Sequence, residues 1–358
     1  MSVQPTTAKD AMARMAIPNG MPGGYSTIID ARSEDEFALD HLPGAVNWPS
    51  LNNEQRITIG TLYKQVNPFE AKKRGAALVA ANIAHHIEQH VIDLPRDWHP
   101  LVYCWRGGKR SGSLALILGQ IGFKVAIIDG GYKAFRSELV DAIPPLAQAI
   151  SWRVICGPTG AGKTRLLHCL REQGAQVLDL EGLANHRSSV LGIVPGQPQL
   201  SQKHFDTLIW DELRQFDSHR PVYIESESRK VGNLAVPESL ILAMRASPCY
   251  QLELADEERV RLLMEDYDFF VQDPAMFSHR LDALVAIRGK QVVEDWQGAI
   301  AAGEIERVVR ELLTHHYDPT YFASMQRNFD LIDQATVIVA ADRTHQSMST
   351  LAKALAQT

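Results

Sequence analysis

The tightest restriction on the fold comes from residues 157–164, a complete GxxxxGK[ST] loop that reads Gly-Pro-Thr-Gly-Ala-Gly-Lys-Thr. An apolar strand precedes this loop and a helical pattern over 165–173 follows it, which is the context that a phosphate-binding loop requires. Backbone N–H groups of such a loop cradle phosphate oxygens, the lysine adds a positive charge, and the threonine hydroxyl can ligate Mg²⁺. The segment therefore predicts a P-loop α/β domain with a phosphate or diphosphate site at Gly157, Gly160, Gly162, Lys163 and Thr164.

A second strand, loop and helix come earlier in the chain, with Cys104, Arg106, Lys109 and Arg110 in the run Cys-Trp-Arg-Gly-Gly-Lys-Arg. Backbone N–H groups around a sulfur atom at the start of a helix stabilise a thiolate or a bound oxyanion. Such surroundings lower a cysteine pKa from about 8.5 to roughly 3.5–7.5. We therefore predict that Cys104 is a nucleophile at neutral pH and that Arg106 and Arg110 belong to its site. The alternative is a buried structural cysteine.

Apolar runs and helical patterns alternate in both halves of the chain. Strands are predicted over 25–32, 102–105, 125–129, 176–180, 222–225 and 250–254, and Ser33 with Glu36 forms a capping box after the first of them. This alternation is typical of parallel sheets with helices on both faces. The predicted fold class is α/β, with a parallel-sheet domain over residues 1–145 and a P-loop domain with a helical C-terminal region over 146–358.

Composition excludes some classes of protein. At 358 residues, 45% of them hydrophobic, the chain can bury two medium-sized cores. No segment approaches the ~18–20 uninterrupted apolar residues of a membrane span, and residues 1–20 lack the pattern of a secretory signal. The four cysteines form no CxxC pair and predict no disulfide framework. We therefore expect a cytoplasmic protein with no membrane partner.

The net charge of −6 argues against a broadly basic RNA-binding surface, so an RNA partner would have to meet a local basic face. Two stretches cluster positive charge. One is 64–74, which includes Lys72, Lys73 and Arg74, and the other runs through Arg288 and Lys290. Each is equally typical of a solvated helix face.

Two glutamates end the strand predicted over 222–225, at the point where P-loop proteins place a metal-site carboxylate. They are Glu225 and Glu227, and Glu225 with Thr164 is the predicted Mg²⁺ site. The alternative is a carboxylate that caps a helix or forms a salt bridge. The sequence of the phosphate-binding loop, residues 157–164, also resembles the P-loop of tRNA isopentenyl transferases, which hold a prenyl diphosphate.

Four motifs of the first half resemble a rhodanese domain. They are Asp30-x-Arg32-Ser33-x-x-Glu36-Phe37, His41-x-Pro43-Gly44-Ala45-x-Asn47, the loop from Cys104 to Arg110, and Asp129-Gly-Gly-Tyr-Lys-Ala-Phe-Arg136. The resemblance implies a rhodanese-like N-terminal domain. The cysteine loop spans seven residues rather than the six of sulfur-transferring rhodaneses, and so resembles rhodanese-like dual-specificity phosphatases. A phosphate-sized ligand, such as selenophosphate, fits this longer loop better than thiosulfate.

The whole chain resembles the tRNA 2-selenouridine synthase family. Beyond the two loops, the resemblance rests on Asn52-Asn53-x-x-Arg56-x-x-x-Gly60-Thr61-x-Tyr63-Lys64-Gln65, Asp179-Leu-Glu181-Gly-Leu-Ala-x-His186-Arg187, Pro198-Gln-Leu-Ser-Gln202, Glu225-x-Glu227-Ser-Arg229-x-x-Gly232 and Tyr317-Asp318-Pro-x-Tyr321. One position departs, because Ser188 stands where the family usually has glycine.

The resemblance implies a two-step reaction on the wobble 2-thiouridine of tRNA. The sulfur is first geranylated from geranyl diphosphate at the P-loop, and selenium from selenophosphate then displaces the geranylthio group. Cys104 would carry the selenium as a selenopersulfide, with Arg110 holding the phosphate. Geranyl diphosphate and selenophosphate are then co-substrates, Mg²⁺ is the expected ion, no tightly bound cofactor is implied, and a selenophosphate synthetase supplies the donor.

The resemblance also marks further candidate site residues, namely Glu181, His186, Arg187, Glu225, Glu227 and Arg229. The first three follow the predicted 176–180 strand, near the edge of the sheet where α/β folds bind ligands. A structural loop anchored by Arg187 is the alternative for that segment. The pairs His85-His86 and His315-His316 lack metal-ligand spacing and are interpreted as surface or core residues.

Two other classes of function stay open from the sequence. One is a rhodanese-type sulfurtransferase or phosphatase fused to an NTPase, which phosphate release from ATP would favour. The other is a tRNA-binding scaffold with degenerate sites, against which the intact Cys104 and Lys163 argue.

Overall fold

The computed structural model describes residues 2–17, 21–189, 191–192 and 196–357. The chain divides into two compact units, Met1–Ala142 with Asp206–Asp211, and Ile143–Phe205 with Glu212–Thr358. The predicted domain boundary between residues 145 and 146 falls inside the helix Gly131–Ala149, which also contains the point where the units divide.

The first unit is built on a five-stranded sheet in the order β1-β5-β4-β2-β3, with every neighbouring pair parallel. Its strands are β1 (Val3–Thr6), β2 (Thr27–Asp30), β3 (Ala45–Asn47), β4 (Pro100–Tyr103) and β5 (Val125–Ile128). The helices are α1 (Ala8–Met15), α2 (Glu34–Leu39), α3 (Asn53–Gln65), α4 (Pro68–His90), α5 (Lys109–Ile121) and α6 (Gly131–Ala149). The edge strand β1 was not predicted from the sequence.

Strand β4 lies at the centre of this sheet because its residues are apolar on both faces. Leu101, Val102 and Tyr103 are fully buried, as expected for a parallel strand covered by helices on both sides. The predicted capping box of Ser33 and Glu36 is present at the start of α2. The central strand ends at Tyr103, so Cys104 begins a loop at the carboxyl edge of the sheet, where parallel folds bind ligands.

The second unit contains a second parallel sheet, in the order β12-β11-β6-β8-β7. Its strands are β6 (Trp152–Cys156), β7 (Gln176–Leu178), β8 (Val222–Glu225), β11 (Cys249–Glu253) and β12 (Thr336–Val339), with a separate antiparallel pair β9 (Lys230–Val231) and β10 (Leu234–Ala235). The first helices are α7 (Lys163–Glu172), α8 (Leu180–Ala184), α10 (Glu238–Arg245) and α11 (Asp256–Asp266); α9 (Gln202–Leu213) begins and ends in this unit, and its middle residues belong to the first.

The predicted helical C-terminal region is confirmed. It contains α12 (Asp268–Gln272), α13 (Pro274–Leu281), α14 (Val285–Arg288), α15 (Lys290–Ala301), α16 (Ile305–Leu312), a π-helical turn (Leu313–Tyr317), α17 (Asp318–Asn328) and α18 (His345–Ala356), with 3₁₀ turns at Asp282–Leu284 and Ile332–Gln334. The α/β fold class is likewise confirmed. Among the described residues, no helix is both long and apolar enough to cross a membrane; the segment 1–20 considered for a leader lies partly outside them.

Candidate functional site

The cysteine loop joins the carboxyl end of β4 to the start of α5. Cys104 is buried, with 3% of its surface exposed. The Ser111 hydroxyl, in the first turn of α5, donates a hydrogen bond to the Cys104 sulfur at 3.1 Å. This contact holds the sulfur at the amino end of α5.

A glycine turn closes the loop from the other side. Gly131 has φ +58°, and a Cβ there would collide with the Cys104 carbonyl oxygen, so only glycine fits. The N–H of Tyr132 donates to that carbonyl at 2.8 Å, and the N–H of Lys133 donates to the Trp105 carbonyl at 3.1 Å. The Asp-Gly-Gly segment of the fourth rhodanese motif therefore fixes the backbone of the cysteine loop.

Arg110 is held by a carboxylate at the edge of the loop. Its Nη1 lies 2.7 Å from Glu36 Oε2, and Arg56 lies 3.8 Å from the same oxygen. Burial disfavours the charged form of Glu36, but the hydrogen bond and charge of Arg110 hold its pKa below the ordinary value. Arg106 is exposed. An oxyanion bound at Cys104 would have to compete with Glu36 for Arg110.

The phosphate loop follows β6, in the middle of the second sheet. Gly157, Gly160 and Gly162 all have positive φ, at +156°, +77° and +92°. Their lack of side chains matters, because a Cβ on Gly160 would lie 3.1 Å from the Arg259 carbonyl oxygen. The Lys163 ammonium donates to the Gly157 carbonyl at 2.8 Å, folded back over its own loop.

Residues from the helical region support this loop from outside. The Arg259 guanidinium, 5% exposed, donates to the Thr159 carbonyl at 2.8 and 3.1 Å and forms a salt bridge of 2.6 Å with Asp318. The Tyr321 hydroxyl accepts a hydrogen bond of 2.5 Å from the Gly157 N–H. The Tyr-Asp-Pro-x-Tyr motif thus buttresses the phosphate loop.

Three carboxylates converge next to Thr164. Glu225 ends β8, Glu227 lies two residues beyond, and Glu181 lies in the first turn of α8, after β7. Oxygens of these three side chains lie within 4.8 Å of one another. The Thr164 hydroxyl lies 3.3 Å from Glu181 and 3.4 Å from Glu225. They meet because β6, β7 and β8 are parallel, so their carboxyl ends share one edge of the sheet.

Burial and mutual repulsion make the charged form of this cluster costly. Burial, together with the charge of Glu227, raises the pKa of Glu181 from 4.5 to about 8. Burial raises the pKa of Glu225 well above its ordinary value, with the charge of Glu181 adding to the effect. Burial likewise raises the pKa of Glu227, although the Ser188 hydroxyl bonds to its carboxylate and opposes the shift. A cation bound among the three carboxylates would favour their charged forms.

The donor set fits Mg²⁺. The ligating atoms are all oxygens, which Mg²⁺ prefers. Glu225 is 1% exposed, and its Oε1 has no hydrogen-bond partner among the described residues. A buried oxygen without a partner is unfavourable unless a cation or water binds it. Besides the predicted Thr164 and Glu225, Glu181 and Glu227 would hold such an ion.

An open pocket surrounds the phosphate loop and the carboxylates, and it includes most of the remaining sequence candidates. His186 lines it and is 6% exposed. Arg187 also lines it, donates to the Asp266 carbonyl and lies over the Tyr267 ring at 4.7 Å, as a loop anchor does. Ser188, the departure from the family, has φ +36°, in the region that favours glycine. Arg229 is exposed and is not among the described residues that line this pocket.

An apolar cavity opens beside the phosphate loop. Its volume is about 50 Å³, which is less than the roughly 300–1,000 Å³ of small-molecule sites. Thr159, Ser189, Leu263, Tyr267 and Tyr317 line both this cavity and the phosphate pocket. Its remaining lining is wholly apolar: Leu191, Met264, Phe270, Val271, Phe277, Ile305, Val309, Leu312 and Leu313.

Some residues of the site carry no signal of their own in the sequence. Arg259 lies on α11 in an ordinary charged helix, and His316, interpreted as a surface or core residue, is buried and lines the phosphate pocket. Arg288 holds it in place by donating to the His316 Nδ1 at 2.9 Å. No periodic sequence pattern predicts that Arg259 and His316 belong to the site, because their contacts join segments that are far apart in the chain.

Two domain models of known protein families match successive parts of the chain. Residues 7–138 match the rhodanese-like domain model, and residues 150–283 match the model of the tRNA 2-selenouridine synthase AAA domain. The tRNA 2-selenouridine synthase of Nitrosomonas europaea is 32% identical over 346 residues, which cover 84% of this chain and 89% of that protein. The protein of the same name from Marinobacter nauticus is 35% identical over 67% of this chain and 65% of its own length. The two matching domain models and the similarity to these relatives show that the chain belongs to the tRNA 2-selenouridine synthase family.

Proposed function

We propose that this protein converts the wobble 2-thiouridine of tRNA to 2-selenouridine in two steps, geranylation of the sulfur followed by selenation. The observation that carries the proposal is the apolar cavity that opens onto the phosphate loop. A prenyl diphosphate has a charged head for the loop and an apolar tail that matches the lining of the cavity, which would have to widen as the tail enters. The reducing cytoplasm suits both a free thiol and a tRNA substrate.

In the first step, the thiocarbonyl sulfur attacks the first carbon of the geranyl group and the carbon–oxygen bond to diphosphate breaks. The diphosphate leaves with the electron pair, and the N3 proton of the base is released. Lys163 and the loop N–H groups stabilise the charge that develops on the leaving group. Thr164, Glu181, Glu225 and Glu227 would hold Mg²⁺, which neutralises charge on a departing diphosphate.

In the second step, selenium replaces the geranylthio group, which leaves as a thiol. We propose that Cys104 carries the selenium from selenophosphate as a selenopersulfide, with Arg110 released from Glu36 to bind the phosphate. The P–Se bond breaks as water takes the phosphoryl group and releases phosphate, and forming the S–Se bond transfers two electrons from the thiol and the selenide to an oxidant; discharge of the selenium onto the tRNA takes two electrons back from a thiol. The carrier cycle therefore needs a disulfide-type oxidant for loading and a thiol for release.

The cavity can be tested by filling it. Val309 lines it and is partly buried on α16, so Val309→Trp should raise the KM for geranyl diphosphate about tenfold or more. Binding of inorganic diphosphate should stay the same, because the phosphate loop is untouched. Val292→Trp, at an exposed position on α15, is the matched control.

The overall reaction is tested with purified protein, 2-thiouridine tRNA, geranyl diphosphate and Mg²⁺, followed by selenophosphate with a disulfide oxidant and then a thiol, and nucleosides are identified by mass spectrometry. S-geranyl-2-thiouridine should form before selenophosphate is added. If ATP is hydrolysed while geranyl diphosphate is left unused, the protein is instead an NTPase fused to a rhodanese-like domain.

A further inference from the structure

A helical hairpin projects from the first unit between β3 and β4. It consists of α3 and α4, joined by Val66 and Asn67. The helices pack closely where Gly75 faces Ile59, since a Cβ on Gly75 would lie 3.3 Å from the Ile59 side chain. Helix α3 is described in full, and all 13 of its residues are exposed or partly exposed. A helix that buries so little of itself gains little stability from its own packing.

The end of this hairpin, residues 63–74, combines exposed apolar side chains with positive charge; we call it the hairpin tip. Tyr63, Val66 and Phe69 are 50%, 73% and 66% exposed. The tip also exposes its four cations, Lys64, Lys72, Lys73 and Arg74. Its only acidic residue is Glu70, which pairs with Lys73 at 2.5 Å. The Lys73 ammonium also lies 5.2 Å from the centre of the Phe69 ring. The tip is therefore basic, although the whole chain carries a net charge of −6.

We infer that the hairpin tip is an RNA-binding surface, on which Phe69 and Tyr63 stack against unpaired bases while the cations contact phosphates. Exposed aromatic rings among basic side chains are the means by which proteins hold single-stranded nucleic acid. Lysine is depleted in protein–protein interfaces, so the three lysines favour a nucleic acid over a protein partner. The inference rests on the proposed function in that tRNA is taken as the RNA.

The base of the hairpin connects this surface to the cysteine loop. Arg56, on α3, lies 3.8 Å from Glu36, the carboxylate that holds Arg110. The Asn82 amide, on α4, donates to the Ser50 carbonyl at 3.1 Å, and the Ser50 hydroxyl donates to the Arg110 carbonyl at 3.0 Å. RNA bound along the hairpin would thus approach the edge of the cysteine site within the same unit.

Binding of the full-length protein to 2-thiouridine tRNA, followed by fluorescence anisotropy over a range of salt concentrations, tests the inference. Phe69→Ala should weaken binding about tenfold, as loss of one stacked base does. The double variant Lys72→Gln/Arg74→Gln should lower the slope of log affinity against log salt by about two. Leu116→Ala and Lys9→Gln/Lys124→Gln change equally exposed positions of the first unit and should alter neither quantity.

The outcomes separate the two proposals. Parental protein that fails to bind tRNA would contradict the proposed function itself. Tight parental binding that survives all the tip substitutions would overturn only the hairpin surface. Anionic phospholipid vesicles form the third arm, because a basic surface with exposed aromatic residues also suits a membrane. Vesicle binding that is lost in the tip variants, with tRNA binding unchanged, would assign the tip to lipid and refute the inference.

Discussion

The cysteine loop and the phosphate loop share one plan but are completed by different parts of the chain. Each follows a buried parallel strand, turns on glycines with positive φ, and leads into a helix. The cysteine loop is completed by its own helix through Ser111, by the Gly131 turn, and by Glu36 on α2. The phosphate loop is supported instead by Arg259 and Tyr321, which belong to helices outside the sheet.

Because of these different surroundings, the two loops are suited to different ligands. At the cysteine loop, the charge of Arg110 is balanced by one carboxylate, so a single small anion can exchange with that carboxylate. At the phosphate loop, two buried carboxylates and a partly buried one lie close together, and an apolar cavity opens beside them. We propose that this second arrangement binds a cation and a ligand that is charged at one end and apolar at the other.

We expect the largest effect from Cys104→Ser, which should block selenation and leave prenyl transfer intact. Prenyl transfer needs a diphosphate site and a nucleophilic tRNA sulfur, but no protein thiol. The Cys104→Ser side chain stays protonated at neutral pH and forms no S–Se bond, so 2-selenouridine should be lost completely. S-geranyl-2-thiouridine should accumulate, which mass spectrometry of tRNA nucleosides measures.

The other cysteines provide the control. Cys169→Ser changes a buried core residue outside both loops, and 2-selenouridine should still form. Substantial selenation by Cys104→Ser would contradict the carrier role and leave selenophosphate attacking the tRNA directly. A phosphate rather than selenium found on Cys104 of the parental protein would replace the selenopersulfide with attack at phosphorus.

The second prediction disables the other loop. Lys163→Ala removes the point charge that faces a bound diphosphate, and losing one such preorganised donor costs about 10²–10³ in rate. Geranylation should fall by this factor, and selenation of 2-thiouridine tRNA should fall with it. Tritium from labelled geranyl diphosphate incorporated into tRNA measures the first step alone.

Supplying pre-geranylated tRNA should restore selenation by Lys163→Ala, because the second step does not need the diphosphate site. Failure of this bypass would mean that the phosphate loop also serves the second step. Near-parental geranylation by the variant would contradict the assignment of the loop to the prenyl diphosphate.

The two loops also differ in how far the sequence predicts them. Strand β8 and the residues of both loops follow from local patterns, because each motif is continuous in the chain. The cluster of Glu181 with Glu225 and Glu227 follows in part, since parallel strands bring their carboxyl ends together. Arg259 and the apolar cavity could not be predicted, because they depend on how the helices from α11 to α17 pack. The salt bridge between Arg110 and Glu36 was also not predicted, because the sequence pattern assigned Glu36 only to the capping box of α2.

The third prediction tests the outside support of the phosphate loop. Arg259→Met removes a buried guanidinium and leaves Asp318 and the Thr159 carbonyl without their partner. Breaking a buried pair in this way costs about 3 kcal/mol or more of unfolding free energy. Urea unfolding, monitored by circular dichroism, measures it, and the KM for geranyl diphosphate should also rise.

Arg261→Met is the matched control on the same helix. Arg261 is 61% exposed and pairs only with Glu258 among the contacts described for it, so its loss should cost less than about 1 kcal/mol. Equal destabilisation by the two substitutions would show that α11 itself, and not the contact with the phosphate loop, accounts for the effect.

The smallest expected effect is the pH dependence of the carboxylate cluster. Burial and the charge of Glu227 raise the pKa of Glu181 from 4.5 to about 8 in the folded protein. Because folding raises this pKa, the folded state binds the Glu181 proton more tightly than the unfolded state does. The resulting stabilisation of the folded protein is fully present below pH 4.5 and is lost as the pH rises through about 8. Without divalent cations, the unfolding midpoint should therefore fall by about 2–4 °C between pH 5 and pH 8.

Mg²⁺ should reverse this loss, because it favours the charged carboxylates and binds the folded state. Glu225→Gln should flatten the pH dependence and weaken the Mg²⁺ effect, since the amide cannot ionise and one ligand is lost. Glu238→Gln changes an exposed glutamate on α10 and should leave both unchanged. A midpoint that responds to Mg²⁺ equally in the parental and Glu225→Gln proteins would locate the ion elsewhere, and the proposed metal site beside the phosphate loop would be wrong.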